Sequence, residues 1–383
     1  MGHIYLDNAA TSFPKPEEVY DAVDDYNRYI GGNPGRGSNQ QTIKAGAVLF
    51  EAREALAELF NIEDSRQIAF TLNVTDAINM GLQGLLKAGD HVITTSMEHN
   101  SVARPLYALE KRGIEWTRVA TDNQGLLNVD DVKKAIKSNT RLICILHASN
   151  VIGTIMPIAE IGHLAREYDL VFMLDTAQTA GVLELDVIQQ NIDILTFTGH
   201  KSLLGPQGTG GIYVSPQLSI KPYRQGGTGS LSEYLEHPAK MPDLLESGTP
   251  NTPGIAGLLA GVNYVLKKGI NTIREYEQNL TALLISGLEE IKGVEVYGVK
   301  DVKHQTSAVA FNIKGVDCGQ VSLLLDYKYN IISRSGLHCS PLAHQTIGTL
   351  ELGALRFSPS FFNTTSDIEE SIKAINAIVQ ELG

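Results

Sequence analysis

Cysteine is nearly absent from this chain: Cys144, Cys318 and Cys339 are the only three in 383 residues. So few in so long a chain excludes a disulfide framework. Long apolar runs are missing too. None approaches the ~20 residues that a membrane span needs, and the N-terminus lacks the apolar core of a secretory signal. Met1-Gly2 opens like a myristoylation signal, but Leu6 stands where Ser or Thr is wanted. Positive charge is in deficit. With 31 Lys and Arg against 43 Asp and Glu, the net charge is -12, which argues against nucleic acid as a main partner. It leaves room for a local basic pocket that takes a small anion. The expectation is a cytoplasmic protein in a reducing compartment, bound to neither membrane nor nucleic acid. Internal repeats and low-complexity tracts are also lacking.

What is present is an ordinary globular composition, 43% hydrophobic and 19% charged, over a length that suggests two domains. Apolar runs of strand length fall at 68–72, 91–95, 141–146, 170–174, 192–197 and 211–214. Helical patterns lie between them, at 75–86, 102–111, 129–138 and 158–168. This alternation predicts βαβ units and a mostly parallel sheet. After about Gly226 the text becomes rich in Gly and Pro, then turns to long helical patterns over 255–291. Short strands at 294–297 and 307–313 and helices at 319–329 and 367–382 follow. The predicted architecture is α/β: an N-terminal segment 1–30, a large domain 31–254, and a smaller α+β domain 255–383. The segment from Tyr5 to about Tyr29 is expected to pack against the small domain.

In parallel sheets ligands sit at the carboxyl ends of strands, so the residues after each run carry the functional reading. Asp175 closes the run Val171-Phe172-Met173-Leu174, and Gln178 follows. A carboxylate there is either a solvated loop acid or a positioned group. Thr198-Gly199-His200-Lys201 follows the next run. A loop lysine is usually a solvated charge, but this one sits in text poor in charge. Burial lowers an amine's pKa and frees the lone pair that Schiff-base chemistry needs. Asn73-Val74-Thr75-Asp76 lies between strand and helix, where Asn73 or Thr75 caps the helix or its free N–H groups bind an anion. Glu98-His99-Asn100 follows the run 91–95, and His99 is either a surface residue or an aromatic plate for a ring ligand. Cys144 reads as a buried small hydrophobe and Cys318 as structural.

An amine, a carboxylate, an anion cradle and a flat ring at one strand edge are what pyridoxal 5'-phosphate needs. At these residues the chain resembles the class V (fold type I) aminotransferase family, in its cysteine desulfurase and selenocysteine lyase branch. The resemblance runs from Tyr5-Leu6-Asp7-Asn8-Ala9-Ala10-Thr11 to Arg356 and Asn363-Thr364. It is carried best by Asp175-Thr176-Ala177-Gln178, Thr198-Gly199-His200-Lys201, Ser247-Gly248-Thr249-Pro250-Asn251 and Arg334-Ser335-Gly336-Leu337-His338-Cys339.

The resemblance implies that Lys201 forms the Schiff base, Asp175 faces the pyridine nitrogen, Gln178 bonds the ring oxygen and His99 stacks on the ring. It implies phosphate contacts from Val74, Thr75, Thr198 and His200. Thr249 would reach the phosphate of a neighbouring subunit, hence a homodimer. Asn150 resembles the substrate-side asparagine near the ring, Arg356 the arginine that grips the substrate carboxylate, and Arg334 shapes the same pocket. Cys339 resembles the cysteine that takes sulfur as a persulfide before a protein acceptor receives it. The implied reaction converts L-cysteine to L-alanine. L-selenocysteine is an alternative substrate, and a class V aminotransferase-like enzyme that does not use Cys339 an alternative activity.

The branch usually shows two adjacent histidines before the cysteine; Leu337-His338 keeps one. His338 or Arg334 is expected to supply cationic character for the Cys339 thiolate. Gly336 and Pro341 predict a shaped, exposed and mobile loop around Cys339. Two other readings of Cys339 remain: a small loop residue without function, and a zinc ligand with His338 and His344, which lacks a convincing fourth ligand. The destination of the sulfur, whether iron–sulfur cluster assembly, thiolated nucleotides or selenium metabolism, is not written in the sequence.

Overall fold

The computed structural model describes residues 2–35, 37 and 39–382. Strand β1 (Ile4–Tyr5) and helix α1 (Glu17–Asp25) precede the long helix α2 (Gln40–Phe60). Strand and helix then alternate: β2 (Ile68–Thr71), α3 (Val74–Leu85), β3 (His91–Thr95), α4 (Asn100–Glu110), β4 (Glu115–Val119), α5 (Val129–Lys134), β5 (Thr140–Leu146), α6 (Ile158–Glu167) and β6 (Val171–Asp175). Strands β7 (Ile194–Thr198) and β8 (Gly210–Val214) complete a seven-stranded sheet of order β2-β8-β7-β6-β5-β3-β4. Only β8 runs against its neighbours. The expected mostly parallel sheet is present.

Period-2 alternation divides the core. Ile143 and Ile145 of β5, Phe172 and Leu174 of β6, and Leu195 and Phe197 of β7 pack on one face of the sheet. Leu142, Cys144, Val171, Met173 and Ile194 pack on the other. Both faces are apolar because helices cover both, and this is why the strands read as continuous apolar runs. Cys144 is fully buried, as a small hydrophobe would be.

After the sheet come α7 (Thr252–Lys268), α8 (Ile270–Glu289), β9 (Val294–Val296), β10 (Val309–Ile313) and α9 (Cys318–Tyr329). They are followed by β11 (Ile331–Ile332), β12 (Arg334–Gly336), α10 (Pro341–Thr346), β13 (Ala354–Phe357) and α11 (Thr365–Leu382). An antiparallel sheet of order β12-β13-β10-β9 packs on α8, α9 and α11 around Phe311, Leu325, Phe357 and Ile375. β1 pairs with β11, and Leu6 lies in that second core. Helix α1 lies along α7.

The sequence reading did not place α1, α2 or α10, nor the strands β1, β4, β11, β12 and β13, and drew 129–138 four residues too long at its end. β4 is an edge strand of sequence Glu-Trp-Thr-Arg-Val with only Val119 buried, so it offers no apolar run. None of the described helices is long and apolar enough to cross a membrane.

Candidate active site

The carboxyl ends of β2, β3, β5, β6 and β7 open on one cavity of about 320 Å³. Its walls bring together Val74, Thr75, His99, Asn150, Asp175, Gln178, Thr198, His200, Lys201, Arg334, Cys339 and Arg356. Every residue singled out from the strand ends therefore reaches one place. Thr249 does not. It is exposed beside a separate depression with Arg224, Ser247 and Asn251.

Each side chain is set by its element. The N-terminus of α3 is capped by Asn73, whose Oδ1 accepts from Asp76 N at 3.0 Å. This leaves Thr75 Oγ1 to bond Ser101 Oγ at 2.6 Å. Ser101 in turn donates its N–H to His99 Nδ1 at 3.0 Å. That contact fixes Nδ1 as an acceptor and leaves the proton of a neutral ring on Nε2. Burial, aided by Lys201, Arg334, Arg104 and Arg356, pushes the His99 pKa down to about 4, so the ring is uncharged near neutral pH.

Asp175 ends β6 inside the molecule. Its Oδ1 accepts from Ala177 N at 2.9 Å, and burial drives its pKa up against the opposing effects of that bond and of Lys201. Lys201 follows β7. Burial lowers its ammonium to about 8, with Asp175 opposing and Arg356 and Arg334 adding to the fall. Thr198 Oγ1 is buried without a partner. Gln178 Nε2 donates to Ala9 O at 3.0 Å, and His200 Nδ1 meets Thr11 Oγ1 at 3.1 Å, so the N-terminal segment forms one wall.

Arg356 on β13 is 1% exposed. Its guanidinium donates to Asn150 O at 2.7 Å and to Asp7 Oδ1 at 2.6 Å, while its Nε is buried with no partner. A buried, unfilled guanidinium donor at a cavity wall suits a carboxylate. Asn150 spends its side chain on the Cys339 turn: Nδ2 donates to His338 O at 2.8 Å, and Oδ1 accepts from Ser340 Oγ at 2.7 Å.

One expectation about Cys339 is corrected here, the cation beside it. The cysteine is exposed, and hydrogen bonds brace its turn: Asn100 N donates to Cys339 O at 2.9 Å, and Ser340 N donates to Leu337 O at 2.8 Å. His338 and Cys339 are both left-handed, at φ 50° and 58°, and such non-glycine residues cost ~1–3 kcal/mol each unless their surroundings hold them. His338 is not a cation. Burial, with Arg356 and His344, pushes its pKa down to about 2. Its Nδ1 meets His344 Nε2 at 3.2 Å and its Nε2 meets Arg334 O at 3.3 Å. His344 Nδ1 meets Thr349 Oγ1 at 2.7 Å. All four ring nitrogens thus have partners within the protein. The cation beside Cys339 is Arg334, whose guanidinium lies 3.9 Å from Sγ.

Sequence reasoning overlooked Ser101, Ser340 and the acceptor role of Asp7. Asp7 stood inside a quoted motif, but only the fold brings it to Arg356. It also passed over Glu98, which is fully buried, accepts from Thr95 Oγ1 at 2.7 Å and keeps Oε2 without a partner. Burial raises its pKa to about 8.

A family model described as aminotransferase class-V matches residues 4–370. The chain belongs to the class-V aminotransferase family. Curated relatives agree: a protein of Methanothermobacter thermautotrophicus named probable cysteine desulfurase is 34% identical over 96% of this chain and 92% of its own length. A protein of Escherichia coli O157:H7 named cysteine desulfurase is 32% identical over 99% of this chain and 94% of its own. Among solved structures, the apo cysteine desulfurase of Thermococcus onnurineus NA1 superposes with a TM-score of 0.93 at 31% identity, covering 99% of this chain and 95% of that one. The cysteine desulfurase CsdA of Escherichia coli gives 0.89 at 29% identity, over 100% and 96%. These neighbours share the mixed α/β class-V architecture described above.

Proposed function

We propose that this protein is a pyridoxal-phosphate-dependent cysteine desulfurase, which converts L-cysteine to L-alanine and carries the sulfur as a persulfide on Cys339. The observation that carries the reading is the convergence of Lys201, Asp175, Arg356 and an exposed cysteine on one cavity. The naming of its relatives supports the same activity.

The residues fit the cofactor. Thr198 Oγ1 is a buried group without a partner, and beside it the start of α3 presents free N–H groups, together a cradle for a phosphate with Val74, Thr75 and His200. Asp175 is a buried carboxylate that a positively charged ring nitrogen would hold ionised. Gln178 would serve the ring oxygen and His99 one face of the ring. When bound, the cofactor supplies an anchor for the substrate amine and an electron sink at Cα.

The chain's own groups do the rest. Arg356 takes the substrate carboxylate through its unfilled Nε, which fixes the substrate's orientation. Arg334 helps shape that pocket. Lys201, with its ammonium brought down to about 8, is close enough to neutral pH to accept the Cα proton on Nζ. The Arg334 guanidinium lies 3.9 Å from Cys339 Sγ, and the thiolate is the form of a cysteine that acts as nucleophile. The thiolate attacks the substrate sulfur. A sulfur–sulfur bond forms as the Cβ–S bond breaks, the electron pair left on Cβ takes a proton to give the methyl group, and Lys201 returns a proton to Cα to complete alanine. A protein acceptor then collects the sulfur.

We place the enzyme in the cytoplasm as a homodimer in which exposed Thr249 reaches toward the partner's cofactor. The test is mass spectrometry after brief exposure to L-cysteine. The peptide containing Cys339 gains one sulfur as alanine appears. Cys339→Ser retains Cα hydrogen exchange but loses alanine release by ~10²-fold or more. Desulfuration at the wild-type rate in that variant would refute the role of Cys339 and leave a lyase or transaminase reading.

A further inference from the structure

The turn that carries Cys339 cannot hold itself. Two consecutive left-handed residues, His338 and Cys339, are closed locally by one backbone bond, Ser340 N to Leu337 O at 2.8 Å. Neither residue is glycine, so the conformation needs support from outside the turn. The flanking residues are buried, His338 at 4% and Ser340 at 0% exposure, while Cys339 between them is exposed. Something must grip the turn from beneath and leave the sulfur free.

Asn150 supplies that grip. It stands just past the end of β5, and it is itself 7% exposed. Its Nδ2 holds the carbonyl before Cys339, and its Oδ1 holds the hydroxyl after it. Its main-chain carbonyl accepts from Arg356 at 2.7 Å. One residue therefore touches both flanks of the sulfur carrier and the guanidinium read as the carboxylate anchor. For a thiolate to attack a sulfur whose carboxylate end is held by Arg356, the two must be placed relative to each other, and small errors in such placement are costly.

We propose that Asn150 is a positioning residue that latches the Cys339 turn to Arg356, with Ser340 as its counterpart on the turn. This rests on the reading of Cys339 as the sulfur-receiving cysteine and adds to it. Asn150 also lines the cavity, so the latch and a bound substrate would share a residue. The histidine pair His338–His344 and the bond from Asn100 N to Cys339 O brace the turn on its other sides.

Ser340→Ala tests the latch, because Ser340 lies outside the cavity wall. Full-length protein is measured with and without cofactor for the rate at which iodoacetamide alkylates Cys339. The cofactor-loaded form is also measured for kcat and KM of alanine release and for Cα deuterium exchange of L-cysteine. The expected result is alkylation faster by ~5-fold and kcat lower by ~10-fold, with KM and Cα exchange within ~2-fold of wild type. Asn150→Ala removes both side-chain tethers, and its alkylation rate and kcat change further in the same directions. Wild-type alkylation rates in both variants overturn the latch. A fall of Cα exchange in parallel with kcat in Ser340→Ala overturns it equally, since the residue would then act on the cofactor or substrate. If wild type releases no alanine, the functional reading fails, and the alkylation rates still decide whether the turn is latched.

Discussion

At the scale of the residue, burial sets the chemistry of this site more than charge pairing does. Lys201, His99 and Asp175 are all shifted first by loss of water, each toward its neutral form. An uncharged His99 and a lysine brought down to about 8 follow directly from where β3 and β7 end. The consequence for Lys201 is testable. Lys201→Ala should abolish covalent retention of the cofactor after borohydride reduction and lower alanine release by ~10²–10⁴-fold. Electrospray mass of the reduced protein checks this. An unchanged adduct on another lysine would move the assignment. Glu98 gives a second residue-scale outcome. Its folded pKa of about 8 lies above the ordinary 4.5, so the unfolded chain binds fewer protons between those values. Native stability contributed by the protonated carboxyl is complete below about 4.5 and is lost as pH rises toward about 8. Glu98→Gln should flatten that fall, as read from urea midpoints at pH 5 to 8.

At the scale of the element, the segment from β12 to α10 behaves as one unit. His338, His344 and Thr349 form a buried chain of ring and hydroxyl contacts that carries no charge. For His344, burial puts the pKa at about 4, below the ordinary 6.5. A depressed histidine contributes stability that is present above about 6.5 and is lost as pH falls toward 4, because the unfolded chain takes up the proton first. Acidification over that window should loosen the turn at a cost on the order of 2 kcal/mol. The check is the iodoacetate reactivity of Cys339 in wild type against His344→Gln. Compared at each pH, the wild-type-to-variant ratio should rise as the pH drops. A ratio flat between pH 7 and 4.5 would show that the pair does not hold the turn. Element boundaries were legible where apolar periodicity was strong, as in β5, β6 and α11. They were not legible in β4, whose single paired side leaves its sequence polar, or in α10, whose six residues are too few to show a period.

At the scale of the whole molecule, we propose that residues 31–254 form the large domain and 255–383 the small one, with 1–30 as a segment between them. Asp7 to Arg356, Asn8 to Ser358 and Gln178 to Ala9 tie the start of the chain to both. The cavity lies where these parts meet, so a truncation that removes Asp7 along with the residues before it should take away one of the two groups that hold Arg356. We also expect a homodimer, because Thr249, Arg224 and Asn251 line an exposed depression away from the cavity. Obligate interfaces of this kind bury over ~2,000 Å². Sedimentation equilibrium should give twice the chain mass, and an active monomer would remove Thr249 from the site.

The sequence by itself determined the alternation of strands and helices, and with it the edge at which Asp175, Lys201, His99 and Thr75 gather. That follows because the period of apolar residues and the order of elements are local properties, and parallel sheets put ligands at one edge. It also held the motif around Cys339. Only the tertiary structure decided that His338 is neutral and turned toward His344, that Arg334 rather than His338 is the cation beside the sulfur, and that Asn150 grips the cysteine turn. Those facts depend on burial and on contacts between residues such as Asn150 and Ser340, which lie far apart in the chain. No local pattern encodes a hydrogen bond between them; the packing of the turn between β12 and α10 against the loop after β5 makes it.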